Sequence, residues 1–165
     1  MDGDRAALGE VFKAHSPRVY RLAYGITRSR SEAEDVVQDV FTGLPESLAT
    51  FEGRAKLSTW LHKVAVRTAV MRLSDAQLIE TVSIELAAFS GRRKLFHPLD
   101  RIALRKALNA LPGAYRAVIW LRVVEGWKHS EISDVLEITE TLSQTWVQRA
   151  RRLLRNALCE QGWRR

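Results

Sequence analysis

The sequence predicts an all-α protein of two small helical domains joined by a short linker, with a helix-turn-helix in the C-terminal domain. Apolar residues recur at three- and four-residue steps over most of the 165 residues, which is the period of amphipathic helices. No segment alternates with period two for long enough to predict a strand. Residues 74–98 interrupt the helical period, so we predict domains at 1–73 and 99–165 with a linker at 74–98.

Two helices are predicted at the start of the N-terminal domain. The first carries an apolar stripe from Leu8 to Ile26, and Pro17 either kinks or splits it. The second is predicted to begin with a capping box, with Ser31 as the N-cap and Glu34 three residues later. Its inner face contains Val36, Val37, Val40, Phe41 and Leu44.

A third helix is predicted after the polar loop "TFEGRAK", with Ser58 as its N-cap. Pro45 marks the place where the preceding helix bends or ends. The inner stripe of the third helix is predicted to contain Trp60, Leu61, Val64, Ala65, Thr68 and Ala69. The linker that follows is too apolar for a purely flexible tether, so parts of it are expected to dock.

The C-terminal domain resumes the helical period at Leu99, with Ile102, Ala103 and Leu108 on its stripe. The period stops at "LPG", residues 111–113, and restarts until the next helix ends at Gly126. The stretch "EISDVLEITETLSQTWVQRARRLL", residues 131–154, then predicts two short helices joined by a tight turn.

This stretch fits a helix-turn-helix, in which a first helix braces a second one that lies in the major groove. The first helix would pack through Ile132, Val135 and Leu136, and Ser133 is small where the helices approach. Ile138 fills the turn. The same local pattern also fits an αα-hairpin that binds nothing.

The turn itself departs from the usual pattern, because Glu137 stands where glycine is common. A side chain there either avoids positive φ or costs about 1 kcal/mol or more. Either Thr139 or Thr141 caps the second helix, and Gln144 would complete a capping box from Thr141.

Charge is concentrated in the second domain. The chain has a formal net charge of +7, and residues 99–165 hold 12 Lys and Arg against 7 Asp and Glu. Six arginines stand at 149, 151, 152, 155, 164 and 165. This pattern fits a polyanion such as a phosphate backbone, or cations that complement the dipole of a helix end.

Several functions are not expected from this sequence. The single cysteine, Cys159, excludes a disulfide within the chain and a thiolate zinc site. The four histidines lack a ligand spacing, and no nucleophile motif or phosphate-binding glycine loop occurs. We therefore expect no enzyme activity, metal, cofactor or small-molecule substrate. With no apolar run of membrane length and no signal peptide, the expected location is cytoplasmic.

The stretch "LPGAYRAVIWLRVVEGWKHSEISDVLEITETLSQTWVQRARRLLRNAL" resembles the C-terminal promoter-binding domain of bacterial RNA polymerase sigma factors. The N-terminal stretches "SEAEDVVQDVF" and "LSTWLHKVAVRTAVMRL" resemble the helices of the other conserved sigma domain. Two such domains in this order, with a short linker, are similar to the extracytoplasmic-function class of the sigma-70 family. The resemblance covers residues from about 5 to 73 and from 99 to 159.

This resemblance implies that the acidic helix docks on the clamp coiled coil of the polymerase largest subunit. The matching positions are Glu34, Asp35, Gln38, Asp39 and Phe41. Acidic residues in a first helical turn also have a simpler reading, because they compensate the helix dipole.

The resemblance further implies that the third helix and the loop before it melt the minus-ten element and hold an extruded base. The matching residues are Lys56, Trp60, His62, Lys63 and Arg67. Trp60 is alternatively a core anchor, and His62 alternatively a plain exposed residue. Arg67 and Met71 stand where the family often has Asn and Asp, which leaves the minus-ten specificity open.

The second helix of the helix-turn-helix would read the minus-thirty-five element. Base-edge contacts are expected from Gln144, Thr145 and Gln148, and phosphate contacts from Lys128, Arg149, Arg151 and Arg152.

The register of that helix is also expected to differ from the family, because Ser143 replaces a buried valine. The apolar residues Leu142, Trp146, Ala150 and Leu153 offer a stripe one residue earlier than positions 143, 147, 150 and 154. That shift predicts a rotation of about 100°.

The function implied is that of a transcription initiation factor. Its expected partners are core RNA polymerase, double-stranded promoter DNA, the melted non-template strand and an anti-sigma factor, with no membrane insertion. The alternatives are a sigma mimic that binds polymerase or an anti-sigma factor without initiating, and a helix-turn-helix regulator that acts without polymerase.

Overall fold

The computed structural model describes residues 2–49, 51–73 and 101–160, which fall into two compact units, Met1–Arg72 and Leu73–Arg165. All regular structure in these described ranges is helical, so the prediction of an all-α fold is confirmed. The predicted linker at 74–98 and its expected docking lie outside the described residues. Within those ranges no helix has the length and apolar character needed to cross a membrane.

Among its described residues the first unit contains four helices. They are α1 (Asp2–Thr27), α2 (Arg30–Thr42), α3 (Leu44–Ala49) and α4 (Leu57–Met71). Helix α1 continues through Pro17 without a break. The buried core is formed by Val19, Leu22, Ala23, Ile26, Ala33, Val36, Val40, Leu44, Leu61, Ala65, Val66 and Ala69.

Helix α2 begins two residues earlier than its predicted capping box. Ser29 is the N-cap, and its side chain accepts a hydrogen bond from the Glu32 backbone N–H at 3.3 Å. The predicted pair of Ser31 and Glu34 lies within the helix instead. Arg28 adopts a φ of 60°, which ends α1 and leaves Ser29 extended at the helix boundary.

The end of α2 and the start of α4 also differ from their predicted positions. Helix α2 ends at Thr42, and Pro45 lies in the first turn of α3, where its missing N–H costs nothing. Ser58 is the second residue of α4 and does not cap it, because Lys56 occupies the N-cap position without a side-chain hydrogen bond.

The second unit contains four helices and one π-helical segment among its described residues. They are α5 (Arg101–Asn109), α6 (Gly113–Ile119), the π-helical segment Trp120–Val124, α7 (His129–Leu136) and α8 (Glu140–Glu160). A hydrophobic cluster joins α6 to α8 through Leu111, Tyr115, Ile119, Ala150, Leu108, Trp146, Leu153 and Leu154.

Two residues of this unit depart from the pattern of an apolar inner stripe and a polar surface: Ile102 is exposed and Arg116 is buried. Ile102 is 50% exposed, while Ala107 of α5 is buried. Arg116 is buried in α6, where its Nη1 donates a hydrogen bond to the Leu111 carbonyl at 3.0 Å. This bond holds the turn at residues 111–113 against α6.

Candidate functional site

Helix α2 presents an acidic and polar face to solvent. Glu34, Asp35, Gln38 and Asp39 are exposed on it. Phe41 is half-buried, and its ring meets that of Phe12 edge-on, with centroids 4.9 Å apart. Four of the five residues predicted to bind polymerase are therefore accessible, while Phe41 also packs within the unit.

Arg72, just after α4, binds this face through three carboxylates. Its Nη1 lies 3.3 Å from Glu32 and 3.0 Å from Asp35, and its Nη2 lies 2.6 Å from Asp39. Its Nε also donates to Asp39 at 3.1 Å. The hydrogen bond with Asp39 is the largest cause that raises the pKa of Arg72, so the guanidinium stays charged.

The sequence contained one sign of this cluster. Glu32, Asp35 and Asp39 are spaced by three and four residues, so they share one face of α2. Three carboxylates this close favour a nearby cation, but the pattern does not say which of the chain's cations supplies it. Glu32 also stands in the first helical turn, where it complements the helix dipole.

Helix α4 and the loop before it place basic and aromatic groups on one side of the helix. Positions 56, 60, 63 and 67 follow each other at steps of four, three and four. Lys56 and Arg67 are exposed, and Lys63 is half-buried. Trp60 is half-buried, with its ring centroid 5.4 Å from that of Phe51. Trp60 thus packs against Phe51, while the side chain retains an exposed part.

His62 is a core residue, and its predicted contact with DNA is wrong for this structure. Its side chain is 6% exposed, which also excludes the alternative of a plain surface residue. The buried stripe of α4 is centred on Leu61, His62, Ala65, Val66 and Ala69, which differs from the predicted stripe. Burial, followed by the charges of Arg18 and His15, lowers the pKa of His62 to about 4.

The first unit is therefore expected to lose stability as the pH falls. The folded-state pKa of His62 lies below its ordinary value of 6.5, so the unfolded chain takes up a proton that the folded chain excludes. The stabilising effect is complete above about pH 6.5 and disappears as the pH falls towards 4, by about 3 kcal/mol at most. Urea unfolding followed by circular dichroism at several pH values measures this loss.

His62→Gln is the variant that tests the assignment, because glutamine does not titrate. It should flatten the pH dependence of the unfolding free energy between pH 4 and 6.5, whereas His15→Gln should retain most of it. An unchanged pH dependence in His62→Gln would show that another group causes the loss.

Helices α7 and α8 form the predicted helix-turn-helix. Ile132 and Val135 are buried, and Ser133 is buried where the helices approach. The chain reverses at Glu137, which adopts φ 55° and ψ 41°, in the left-handed region. Its N–H donates to the Ser133 carbonyl, so the glutamate takes the strained conformation that glycine usually supplies.

Glu137→Gly is expected to stabilise the second unit by about 1 kcal/mol. The substitution removes the clash of the side chain at positive φ, and this gain exceeds the larger backbone entropy of glycine in the unfolded chain. The melting temperature should rise by a few degrees in a calorimetric scan. Glu137→Ala is the matched control, because alanine keeps the Cβ and should give no such rise. Equal melting temperatures for the Gly and Ala variants would refute strain at this turn.

Helix α8 keeps the family register, so the predicted rotation is wrong. Ser143, Val147 and Ala150 are 0%, 3% and 0% exposed, and they form the buried stripe. Trp146 is half-buried at the edge of that stripe, where its ring lies 6.1 Å from that of Tyr115.

A hydrogen bond explains how a serine occupies this buried position. The Ser143 hydroxyl lies 3.0 Å from Nδ1 of His129, the first residue of α7. A buried hydroxyl with a partner avoids the cost of an unsatisfied polar group. The bond therefore ties the two helices of the motif together at the position where the family usually has a buried valine.

The opposite face of α8 is open to solvent. Gln144, Gln148, Arg151 and Arg152 are exposed, and Thr145 is half-buried with its hydroxyl donating to the Thr141 carbonyl at 2.9 Å. Thr139 caps the helix, because its Oγ1 accepts from the Leu142 N–H at 3.1 Å. The cap consequently does not use Gln144.

The two remaining predicted phosphate contacts differ in their surroundings. Arg149 is half-buried, with its Nη1 3.5 Å from the Tyr115 hydroxyl. Lys128 is exposed at the start of α7, where its backbone N–H donates to Glu131 at 2.7 Å. Arg155 is also exposed, one turn beyond Arg151 on the same face.

A helix-turn-helix with an exposed polar and basic second helix, preceded by a separate helical unit, defines the class of two-domain helix-turn-helix proteins that bind DNA. Residues 11–79 match the family described as Sigma-70 region 2, and residues 101–154 match Sigma-70, region 4. The chain belongs to the sigma-70 family of transcription initiation factors, in its extracytoplasmic-function class.

Relatives that the chain matches over more than 90% of their own length agree with this family assignment. The chain is 29% identical to the RNA polymerase sigma factor SigV of Bacillus subtilis, over 95% of this chain and 94% of the relative. It is 25% identical to the ECF RNA polymerase sigma factor SigW of the same species, over 94% and 91%. In fold it is similar to the sigma factor RpoE of Bartonella quintana, solved in complex with the anti-sigma factor NepR. That likeness has a TM-score of 0.63 at 20% identity and covers 96% and 98% of the two chains.

Proposed function

We propose that this chain binds core RNA polymerase through the acidic face of α2 and promoter DNA through α4 and α8. The observation that carries the proposal is the pairing, in one chain, of an exposed acidic helix with a helix-turn-helix whose outer face is polar and basic. The first unit would occupy residues 1–73 and bind polymerase and the minus-ten element. The second, residues 99–165, would bind the minus-thirty-five element.

At the minus-thirty-five element, α8 would enter the major groove with its exposed face. Gln144 and Gln148 stand one turn apart and offer amide groups that can pair with adenine. Thr145 offers only part of its surface, because its hydroxyl is bonded to the helix backbone. Phosphate contacts would come from Lys128, Arg149, Arg151 and Arg152.

At the minus-ten element, α4 would hold the melted non-template strand. Lys56, Lys63 and Arg67 would contact phosphates along the side of the helix that also carries Trp60. The exposed part of Trp60, backed by Phe51, would serve as a stacking surface for an extruded base. His62 is excluded from this set by its burial.

Replacing Lys63 and Arg67 together by alanine is expected to reduce promoter opening at least tenfold, because two cations next to the melted strand are lost. Permanganate footprinting of the holoenzyme on promoter DNA measures the fraction of opened complexes. Lys13→Ala, which removes an exposed cation of α1, should leave opening at the wild-type level. Normal opening in the double variant would rule out this face of α4 as the strand-binding surface.

An anti-sigma protein is the proposed regulator, by analogy with the partner present in the structure of the Bartonella quintana relative. A candidate of this kind should compete with core polymerase for the chain and suppress transcription in a purified system. Formation of a stable three-component complex that still transcribes would contradict this part of the proposal.

A second candidate function is a sigma mimic that binds polymerase without initiating. Arg67 is exposed and Met71 is 84% exposed on α4, at the two positions where the family often has Asn and Asp. A regulator that acts without polymerase is less well supported, because it leaves the acidic face of α2 without a use.

A further inference from the structure

The cation that covers the acidic face of α2 comes from this chain itself. Arg72 bonds Asp35 and Asp39, two of the residues proposed to bind polymerase, as well as Glu32. The side chains of Asp35 and Asp39 remain 50% and 49% exposed while paired, and Arg72 is 29% exposed. A cation on a partner can therefore reach these carboxylates while the guanidinium is still bound.

We propose that Arg72 is an internal counter-ion that competes with the basic surface of polymerase for Asp35 and Asp39. In the free chain it masks the docking face of α2, and docking exchanges its guanidinium for cations of the polymerase. This inference rests on the proposed use of α2 as the polymerase-binding face.

The hydrogen-bond geometry leaves room for a partner's cation to exchange with the guanidinium of Arg72. Both the Nε and the Nη2 of Arg72 bind the same oxygen, Oδ2, of Asp39, and its bond to Asp35 also uses Oδ2 alone. A carboxylate accepts hydrogen bonds on two oxygens, so the Oδ1 atoms of both residues are not engaged by Arg72. Solvent and salt weaken ion pairs between partly exposed groups, and Asp35 and Asp39 are half exposed, so a partner's cation can compete with the guanidinium for them.

Charge determines the direction of the expected effect. Three carboxylates and one guanidinium leave a local charge of about −2, and loss of the guanidinium would make it about −3. A more negative face attracts a basic partner more strongly and speeds its association, most of all at low salt. A purely structural role for Arg72 predicts slower association instead, because loss of its ion pairs would loosen α4 from α2.

The test measures the association rate with core polymerase for wild type, Arg72→Lys and Arg72→Gln, in the absence of DNA. Each 165-residue chain is labelled at Cys159, its only cysteine, and is followed by fluorescence anisotropy at low and physiological salt. Arg72→Gln should associate about three- to tenfold faster than wild type at low salt, with a smaller gain at higher salt. Arg72→Lys should lie between the two, because an ammonium cannot bridge several carboxylates as a guanidinium does.

One control variant and one folding check make the result specific. Arg54→Gln removes an arginine that is paired with Glu52 outside α2, and it should associate at the wild-type rate. Thermal melting establishes that each variant is folded, and if Arg72→Gln is not, the faster association of Arg72→Lys alone carries the test. Rates for the folded Arg72 variants at or below the wild-type rate overturn the inference.

Failure of the underlying function gives a different pattern. If Asp35→Arg with Gln38→Arg leaves polymerase affinity unchanged, α2 is not the docking face, and both proposals fail. If that double variant loses affinity while the Arg72 variants associate no faster, the docking face stands and only the competition by Arg72 is refuted.

Discussion

Replacing Asp35 and Gln38 together by arginine is expected to weaken binding to core polymerase at least a hundredfold. Both side chains are exposed on α2, three residues apart on the same side of the helix. The two substitutions change the charge of this face by +3, and like charges brought together in an interface cost several kcal/mol. A hundredfold loss corresponds to about 2.7 kcal/mol. Equilibrium titration of core polymerase into the labelled chain measures the affinity.

A matched control places the same charge change elsewhere on the first unit. Glu46 and Ala49 are exposed on α3 with the same three-residue spacing, and their replacement by arginine should leave affinity within about twofold. An equal loss in both double variants would indicate a general effect of charge. Wild-type affinity in the α2 variant would refute the assignment of α2 as the polymerase-binding face.

Replacing Arg151 and Arg152 by alanine is expected to weaken binding of the holoenzyme to promoter DNA by about ten- to a hundredfold at low salt. Both arginines are exposed on α8, next to the glutamines proposed to read bases. Each phosphate contact contributes about 0.9 to the slope of log affinity against log salt, so the slope should fall by about 1.8. Affinity measured over a series of salt concentrations gives both quantities.

The change of slope separates a phosphate contact from other effects of these substitutions. Arg105→Ala with Lys106→Ala removes two exposed cations from α5, outside the helix-turn-helix, and should leave the slope unchanged. Weaker binding with an unaltered slope in the α8 variant would mean that these arginines do not contact phosphates.

Much of the fold follows from the sequence because the helical period is strong. Helices α7 and α8 and the turn between them could be located from the spacing of Ile132, Val135 and Leu136 and from the two threonines, at 139 and 141, that could cap α8. The starts of α2 and α4 were less predictable, because Ser29 and Ser31 can both cap α2, and α4 begins after Lys56 without a side-chain cap although Ser58 stands nearby. The backbone reversal at Arg28 decides among them for α2, and a capping pattern does not encode it.

The errors in the candidate site have a common origin in tertiary contacts. His62 and Ser143 are polar residues that the structure buries, and hydrophobic periodicity assigns polar residues to the surface. Ser143 is satisfied by His129, 14 residues away, and Arg72 pairs with carboxylates 33 to 40 residues away. Contacts at such separations depend on how the helices pack, so local sequence patterns do not reveal them.

Run-off transcription on a promoter library tests most directly whether the chain directs core polymerase to start transcription at promoters. Purified chain and core polymerase should together yield transcripts from a subset of promoters that share minus-ten and minus-thirty-five elements, and core alone should yield none from that subset. Binding to polymerase without transcripts from any promoter would contradict this role and favour the sigma mimic. DNA binding that does not need polymerase would favour a separate regulator.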